Sequence, residues 1–312
     1  MKILVTGGTG LVGHAMQQVA TDYHDHEFIF MGSKDCDLLD FPRTVHTLVH
    51  LNPEVVIHLA ANVGGLYKNM SQKLSMFEDN LQMNMNMVRA CHAAGTRQFI
   101  GMLSTCIFPD KPTSYPINET MLHESPPHES NDAYAYAKRM LHVHCETANQ
   151  YRDTAHTCMI PTNIYGENDN YNLQDSHVIP ALIHKCHLAK KHGQDFVVSG
   201  TGKPLRQFVY APDLARSIIE LLPYANRNST IILMPDETEY SIGDVARMIA
   251  REFGYDSRLK FDTSQSDGQY KKTASNRLFK QLLPEFNHTS IEHGLKSTVK
   301  HFINNYPNNI RL

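Results

Sequence analysis

The stretch that decides the fold opens the chain and reads Lys2-Ile3-Leu4-Val5-Thr6-Gly7-Gly8-Thr9-Gly10-Leu11-Val12-Gly13. It starts as a short apolar run with β-branched members, which ends at two glycines. Such a run is typical of a buried parallel strand. Helical spacing of apolar residues follows from about Leu11 to Ala20. The sequence therefore predicts a strand, a glycine turn and a helix, in that order.

The glycines of this turn have the spacing G-x-x-G-x-x-G. Glycine permits a tight turn and lets backbone N–H groups approach a pyrophosphate, and the helix N-terminus adds partial positive charge. A plain glycine-rich turn is the alternative, but the position between a strand and a helix favours a dinucleotide site. The residues that we expect to hold the dinucleotide here are Gly7, Gly10, Leu11, Val12 and Gly13.

Strands and helices alternate up to about residue 160. The predicted strands are 27–31, 55–60, 98–104 and 154–160, and the predicted helices are 42–51, 74–94 and 134–150. This alternation indicates an α/β fold, a Rossmann-type doubly wound parallel sheet with right-handed crossovers.

The pattern loosens after about residue 165. Helices near 177–191, 213–222 and 241–253 are separated by short strands and loops. We expect residues 1–165 to form the dinucleotide-binding domain, and residues 166–312 to form a smaller mixed substrate-binding region whose elements can interleave with it. The stretch 112–132, rich in Pro, Ser, Asn and His, is predicted to be a surface loop.

Composition limits the classes of function. The 312 residues include 29 basic and 32 acidic side chains, a net charge of -3. This balance argues against nucleic acid as the main partner, since phosphate binding needs a basic excess. No apolar run is long enough to span a bilayer. The six scattered cysteines and the 19 histidines have no disulfide or metal-binding spacing, so we expect no metal and a reducing, cytoplasmic setting.

The end of the second predicted strand should select the cofactor ribose. The sequence there is Gly32-Ser33-Lys34-Asp35. The hydroxyl of Ser33 and the ammonium of Lys34 suit a 2′-phosphate and favour NADP(H). Asp35, one residue later, leaves NAD open, because an acidic residue at this place usually holds a free 2′-hydroxyl. A solvated surface charge is the alternative for Lys34.

A Tyr-x-x-x-Lys pair, Tyr134 and Lys138, begins the helix predicted at 134–150. Residues four apart share a helix face, so we expect Lys138 to lower the tyrosine pKa, which is normally about 10. Such a tyrosine exchanges the proton that accompanies hydride transfer to a ketone. Ser104 ends the fourth predicted strand, at the sheet edge where ligands bind, although a turn cap is also a common role for serine. Together with the glycine turn, these residues predict a dehydrogenase or reductase.

Three further segments narrow the prediction: Ser104-Thr105-Cys106-Ile107-Phe108-Pro109, Pro161-Thr162-Asn163 and Ser176-His177-Val178-Ile179-Pro180-Ala181. With them the chain resembles the GDP-L-fucose synthases, epimerase–reductases of the extended short-chain dehydrogenase/reductase family, over almost its whole length, including 266–272. The resemblance implies that Cys106 removes a proton and His177 returns one beside the 4-keto group of a GDP-sugar. It also implies that NADPH then reduces C4.

The chemistry of this pair is consistent with that assignment. A thiol with a pKa near 8.5 and an imidazole near 6.5 can both exchange protons close to neutral pH. The plainer alternatives are a small buried thiol for Cys106 and a partly exposed polar side chain for His177.

A GDP-sugar is anionic, so cationic side chains should line its cleft. The resemblance implies that Lys185 and Arg206 lie near the diphosphate and guanosine, and that Asn163 and His177 contact the sugar. Guanidinium suits bidentate phosphate contact, whereas Lys185 has the alternative of a surface cation. Lys271 is a further candidate, although the sequence does not separate it from its neighbour.

One position departs from the family. Ser199 stands where many relatives have a tryptophan, and the chain has no tryptophan, which puts the pose of the substrate in question. Family members commonly dimerise through helices equivalent to 74–94 and 134–150, so the resemblance implies a homodimer. The first of these helices contains Met83, Met85 and Met87, which cannot all lie on one face.

Two other classes of function remain. A sugar-nucleotide 4,6-dehydratase would be expected to have acidic residues where Thr105 and Cys106 stand, and a simple 4-epimerase would not need a thiol–imidazole pair. A non-enzymatic dinucleotide-sensing protein of the same fold would not need Tyr134 or Lys138.

Overall fold

The strand at the start of the chain lies inside a six-stranded sheet. The computed structural model describes residues 1–225, 229–234, 236–265, 267 and 269–312. Within them the strands are β1 (Lys2–Thr6), β2 (Glu27–Met31), β3 (Val55–His58), β4 (Gln98–Met102), β5 (Ala155–Pro161), β6 (Asn163–Tyr165), β7 (Phe196–Ser199), β8 (Leu205–Arg206), β9 (Phe208–Tyr210), β10 (Thr230–Leu233), β11 (Tyr240–Ser241) and β12 (Leu259–Asp262). The helices are α1 (Leu11–Ala20), α2 (Phe41–Leu51), α3 (Leu66–Ser71), α4 (Lys73–Ala94), α5 (Asp132–Tyr151), α6 (Val178–His192), α7 (Ala211–Ala225), α8 (Ile242–Glu252), α9 (Arg277–Leu282) and α10 (Ile291–Asn305).

The large sheet has the order β2-β1-β3-β4-β5-β10, and its strands are parallel. β1 pairs with β2 on one side and with β3 on the other. The chain therefore changes the direction in which it adds strands between β2 and β3, which opens a crevice at the carboxyl end of β1. The expected doubly wound α/β fold is confirmed.

Helices cover both faces of this sheet. Alternate side chains of a strand point to opposite faces: Leu4 packs in a core with the helices α2, α4 and α5, whereas Ile3 and Val5 pack in a second core with α1 and α7. Burial on both faces is why the strands appear in the sequence as continuous apolar runs. Each fully buried aliphatic side chain contributes about 1.5–3 kcal/mol.

Local signals set the ends of the helices. The carboxylate of Asp40 accepts a hydrogen bond from the Arg43 N–H (3.0 Å) and begins α2. The same helix ends at Asn52, which has a left-handed φ of 47° and precedes a proline. Gly95 ends α4 with a φ of 73°. These are the residue types that favour caps and left-handed helix ends.

The two regions of the chain interleave. β10 joins the large sheet beside β5, and α7 packs against α1, although both elements follow residue 165. A third core surrounds α6, α8 and α10 with the parallel pair β7 and β12. The sequence divides the chain at residue 165 by expected function, cofactor binding before it and substrate binding after it. That division stays a prediction.

Several local predictions were wrong. Helix α3 was not predicted, β3 ends at His58, and β4 ends at Met102, so that Ser104 caps a 3-10 turn beyond the strand. The segment 112–132 is more than a surface loop, because Ile117, Met121 and Leu122 are buried in the first core. A lone isoleucine and an adjacent methionine–leucine pair among polar residues have no periodicity, and only the tertiary fold shows that they are covered.

No helix within the described part of the chain has both the length and the apolar character needed to cross a membrane. In the same residues, no group of three or more His, Cys, Asp or Glu side chains has an arrangement that could hold a metal ion.

Gly294 offers a test of the third core. In an open helix, Gly→Ala stabilises by about 1 kcal/mol. Here a new Cβ would lie 3.0 and 3.1 Å from ring carbons of the buried Tyr165, and closer still to its hydroxyl oxygen. We expect Gly294→Ala to lower the free energy of unfolding by about 1–3 kcal/mol, measured by urea denaturation.

The control removes the obstacle. In a Tyr165→Phe background the hydroxyl is absent, so the alanine should be less destabilising than in the native background. Stabilisation by Gly294→Ala alone would mean that the ring moves away freely, contrary to the packing described.

Candidate active site

A cleft of about 1060 Å³ lies at the carboxyl ends of the large sheet, where the crevice opens. The residues predicted from the sequence that line it are Gly7, Gly10, Leu11, Val12, Gly13, Ser33, Ser104, Tyr134, Lys138, Asn163, His177 and Arg206. Those predicted from the sequence that do not line it are Lys34, Cys106, Lys185 and Lys271.

The glycine turn is packed so closely that side chains are excluded. Gly7 has a φ of 71°, and a Cβ on it would lie 2.7 Å from the Ala60 nitrogen. A Cβ on Gly13 would lie 2.5 Å from the carbonyl carbon of Gly8. The α1 helix begins at Gly10 with no side-chain cap and no acidic residue in its first turn. Its free N–H groups therefore face the cleft, as a pyrophosphate-binding helix end requires.

A row of buried, hydrogen-bonded side chains lies next to this turn and supports it. Thr6 Oγ1 shares a hydrogen bond with His58 Nδ1 (2.8 Å), and His58 Nε2 shares one with Asn84 Oδ1 (3.2 Å). Burial lowers the pKa of His58 to about 3, so the imidazole is neutral. Sequence reasoning missed this chain, because its members come from three separate elements and have no common spacing.

The end of β2 is where the sequence predicts the selector of the cofactor ribose. Ser33 lines the cleft, whereas Lys34 is exposed and lies outside its lining. The carboxylate of Asp35 turns back and accepts the Gly32 N–H (2.8 Å). Arg43 donates to the Asp35 carbonyl oxygen (3.1 Å), which brings a guanidinium that the sequence analysis missed to the same strand end. This end therefore has a capped acidic group and two nearby cations, a set that suits a phosphate.

Tyr134 and Lys138 lie on α5 beneath the cleft, close to Ser104. The Lys138 ammonium is only 1% exposed and donates to the Met102 carbonyl oxygen (2.9 Å). Its Nζ lies 5.7 Å from the centre of the Tyr134 ring. Burial lowers the pKa of Lys138 to about 8 and raises the pKa of Tyr134. The expected lowering of the tyrosine pKa is not seen, because burial raises it and the nearby Cys106 adds to the rise.

Cys106 lies in the 3-10 turn that Ser104 caps. Its backbone N–H donates to Ser104 Oγ (3.4 Å), and its thiol is buried just behind the lining of the cleft. Burial raises the pKa of this thiol, and the charges of Lys272 and Lys138 oppose that rise together with the serine hydroxyl. The thiol is thus buried among two cations and a hydroxyl that stabilise its ionised form.

His177 is the N-cap residue of α6 and lines the cleft. Solvent reaches the imidazole through the cleft, yet the protein atoms crowded around the ring lower its pKa. The imidazole is therefore mostly neutral near neutral pH. A residue that exchanges protons with a ligand must line the cleft and must be able to gain and lose a proton near neutral pH, and His177 meets both requirements.

Arg206 places a cation in the cleft without a carboxylate partner among the described residues. Its guanidinium donates to three carbonyl oxygens, those of Leu205 (2.7 Å), Gln269 (2.7 Å) and Tyr270 (3.4 Å). These bonds fix its position but do not neutralise its charge, which leaves it able to attract an anion. Asn163 also lines the cleft and donates from Nδ2 to the Gln207 carbonyl oxygen (2.8 Å).

The structure separates the two lysines that the sequence could not. Lys271 forms an ion pair with Glu239 (3.2 Å), outside the lining of the cleft. Lys272 also lies outside the lining, but it interacts electrostatically with Cys106 and Arg206. Lys185 is half-buried on α6 and also lies outside the lining. In the segment 266–272, Ser266 and Gly268 lie outside the described residues.

Sequence reasoning also missed three polar residues of the cleft wall. Asp169 and Thr162 are buried, and each has an oxygen atom with no hydrogen-bond partner in the described structure. Arg311, the next-to-last residue, lines the cleft as well. No motif marks these positions. The one sequence signal is the concentration of polar residues directly after β6.

The turn Gly7–Gly13 forms a glycine cradle at the crevice where the strand order changes direction, and a Tyr-x-x-x-Lys pair lies in the same cleft. Together these features define a nucleotide-dependent oxidoreductase or epimerase site. Residues 3–234 match the family described as "NAD dependent epimerase/dehydratase family". This match covers more than half of the chain, and the chain belongs to that family.

Similar proteins extend over the full chain. The GDP-L-fucose synthase of Dictyostelium discoideum is 47% identical over 97% of this chain and 96% of its own length. The probable GDP-L-fucose synthase of Drosophila melanogaster is 45% identical over 98% of each chain. A crystal structure of a GDP-L-fucose synthetase from Naegleria fowleri bound to NADP has a TM-score of 0.92 and 45% identity, covering 100% of this chain and 95% of the other.

The glycine cradle yields a test of cofactor binding. Because a Cβ on Gly13 would collide with the backbone of Gly7 and Gly8, Gly13→Ala should push the turn apart. Overpacking of about 1–3 kcal/mol corresponds to roughly a tenfold to hundredfold loss of affinity. Titration of NADPH, followed by its fluorescence, measures the effect.

Gly95→Ala is the matched control. It strains a left-handed helix end far from the cleft, where the new Cβ has no neighbour within 4 Å. It should lower stability and leave NADPH affinity unchanged. Equal affinity of Gly13→Ala and the native protein would contradict the proposed cradle.

Proposed function

We propose that the protein converts GDP-4-keto-6-deoxy-D-mannose to GDP-L-fucose by 3,5-epimerisation and NADPH-dependent 4-reduction. The observation that carries this proposal is that one cleft holds both the glycine cradle and the groups for proton exchange: Ser104, Tyr134, Lys138 and His177, with Cys106 directly behind Ser104. The full-length similarity to GDP-L-fucose synthases supports the same substrate.

The chain fits NADP(H), the cofactor bound in the similar Naegleria fowleri synthetase. The exposed N–H groups at the start of α1 suit the pyrophosphate, and Ser33 with the nearby cations Lys34 and Arg43 suits the 2′-phosphate. Asp35, which would otherwise favour NAD, has one carboxylate oxygen occupied by the Gly32 N–H. When bound, NADPH supplies the hydride that reduces C4.

Epimerisation needs a base and an acid on opposite sides of an acidified carbon. The 4-keto group acidifies C3 and C5 of the sugar, and Cys106 as thiolate removes the proton while His177 returns one. The thiolate is favoured by Lys272, Lys138 and the Ser104 hydroxyl, which counter the effect of burial on its pKa. Both groups are neutral at rest, because burial raises the pKa of the thiol and lowers that of the imidazole. Before the exchange the thiol therefore loses its proton and the imidazole takes one up, which gives the thiolate that removes the carbon-bound proton and the imidazolium that returns one.

The carbonyl oxygen at C4 carries the negative charge of the enolate. Ser104 and Tyr134, both in the lining, donate hydrogen bonds to that oxygen. The raised pKa of Tyr134 keeps its phenol protonated. A protonated phenol is the state needed to give a proton to the C4 oxygen as the carbonyl is reduced. Lys138 holds the nicotinamide ribose in the arrangement that the family resemblance implies.

Cations support binding of the GDP group. Arg206, with its uncompensated charge in the cleft, is the strongest candidate for the diphosphate. Lys272 is a better candidate than Lys271, which is paired with Glu239. Lys185 stays a prediction from the resemblance, as does contact of Asn163 with the sugar. Ser199 lines the cleft and leaves room where many relatives have a tryptophan.

The direct test mixes purified protein with GDP-4-keto-6-deoxy-D-mannose and NADPH, follows nicotinamide absorbance and identifies the sugar. Formation of GDP-L-fucose with oxidation of NADPH supports the proposal. A reduced sugar with unchanged C3 and C5 would keep the reductase and remove the roles of Cys106 and His177. Dehydratase or simple 4-epimerase products would point to the other classes.

Cys106→Ser isolates epimerisation. Because a hydroxyl is far less acidic than a thiol, incorporation of solvent deuterium at C3 and C5 should fall by about 10²–10⁴-fold. NADPH affinity should be retained, since Cys106 is not among the residues proposed to hold the dinucleotide. The control is Cys186→Ser, at a buried thiol in the third core. Normal exchange in the Cys106 variant would refute its role.

We also propose a homodimer that forms through α4 and α5, with a cytoplasmic location as the sequence predicts. The two helices pack against each other, and each leaves large apolar side chains on its outer surface. The exposed residues are Leu74, Met85, Tyr136, Met140, Val143 and Tyr151. Leu74 and Tyr151 are 70% and 82% exposed, whereas Met87 of the same α4 helix is fully buried. Large exposed apolar side chains on two helices that pack together are consistent with a protein interface.

Met140→Glu tests this interface. A buried charge without a partner weakens association strongly, so the variant should elute as a monomer where the native protein elutes as a dimer. Light scattering after size exclusion gives the mass. The control Ile303→Glu changes an exposed apolar residue of α10 and should leave the mass unchanged. A native protein that is already monomeric would contradict the proposal.

A further inference from the structure

The C-terminus of the chain returns to the cleft. After α10 the chain turns, with the Asn309 N–H donating to the Asn305 carbonyl oxygen (2.9 Å). Arg311 then forms a parallel backbone bridge with Asn170, and the Tyr171 N–H donates to the Arg311 carbonyl oxygen (2.8 Å). The Arg311 side chain lines the same cleft as the glycine turn. The fold thus fixes the backbone of the penultimate residue and leaves its side chain at the site.

The guanidinium of Arg311 is available for a ligand. Among the described residues it donates no hydrogen bond and joins no ion pair. Its electrostatic partner is Asp169, a carboxyl that is only 5% exposed and also lines the cleft. Oδ1 of Asp169 accepts the Asn170 N–H (2.7 Å), whereas Oδ2 has no partner. A buried carboxyl with an unpartnered oxygen is costly unless a charge nearby compensates it.

The loop that holds Arg311 lies beside the start of α1. A Cβ on Gly166 would lie 3.3 Å from Leu11 Cδ1, in the first turn of that helix. Asn170, which pairs with Arg311, is four residues further along the same loop. The α1 helix begins there with no side-chain cap and no acidic residue, and therefore presents free N–H groups. The Arg311 side chain and the start of α1 thus line the same cleft, and the loop that pairs with Arg311 packs against the first turn of α1 at Gly166.

We propose that Arg311 binds the pyrophosphate of the nicotinamide cofactor together with the start of α1, and that Asp169 is a positioning residue that orients its guanidinium. The proposal rests on the NADP(H) binding proposed above. Guanidinium presents two parallel donors to phosphate oxygens, and charge-assisted bonds of this kind are the strong ones. Neither residue takes part in the proton exchange assigned to Cys106 and His177.

Cofactor titration tests the role of Arg311. NADPH is titrated into the native protein, Arg311→Gln and Arg311→Lys, with thermal unfolding as a check on folding. Loss of a charged hydrogen bond should weaken NADPH binding about tenfold to hundredfold in Arg311→Gln, and lysine should restore part of it. Adenosine 2′-phosphate, which lacks the pyrophosphate, should bind both variants like the native protein. The control Lys300→Gln removes an exposed cation of α10 and should change nothing.

A double-mutant cycle tests the role of Asp169. Asp169→Asn should weaken NADPH binding by a smaller factor, and should have no further effect in the Arg311→Gln background. A residue that only stabilises the fold would weaken binding equally in both backgrounds.

The outcomes separate the two proposals. Failure of the native protein to bind NADPH would refute the proposed function as well. Native binding with unchanged affinity in Arg311→Gln would refute this inference alone. Weaker binding of GDP, with NADPH unaffected, would overturn the assignment to the cofactor and transfer Arg311 to the substrate.

Discussion

The close approach of the first helix to the first strand is the constraint on which the site depends. Gly13 packs on the backbone of Gly7 and Gly8 so tightly that no Cβ fits. This contact draws the start of α1 over the end of β1 and leaves its N–H groups without protein partners, facing the cleft. The order of the sheet places this helix end at the crevice between β1 and β3. Anion binding thus follows from the absence of side chains at one turn.

Burial then decides the protonation states around the cleft. It lowers the pKa of Lys138, His58 and His177 and raises the pKa of Cys106 and Tyr134. Each of these pKa shifts is toward the neutral form, because desolvation disfavours charge. A protonated Tyr134 matches the need for a proton donor during reduction, whereas Cys106 must ionise against its surroundings. The charges of Lys272 and Lys138 oppose the rise in the pKa of Cys106. The sequence around Lys272 does not suggest this influence, because it resembles that of a surface residue.

Elements that follow residue 165 pack against the part of the chain that precedes it. β10 and α7 complete the large sheet and its helical layer, and the C-terminal residues reach the loop after β6. Polar groups from positions far apart in the chain, such as Asp169 and Arg311, consequently meet at one wall. The parts of the chain before and after residue 165 therefore share a cleft whose walls neither could form alone.

The sequence by itself determined the sheet, because strands that are buried on both faces consist of continuous apolar residues. It also determined the glycine turn and the Tyr134–Lys138 pair, because each of these is defined by a spacing of a few residues. Tertiary structure alone decided the charge partners of the cations, pairing Lys271 with Glu239 and bringing Lys272 near Cys106 and Arg206, and it decided which buried groups lack partners, such as Asp169. The physical reason is the distance along the sequence over which each feature is set. A turn or a helix face is set by residues a few positions apart, whereas burial and charge pairing depend on segments that meet only when the chain is folded.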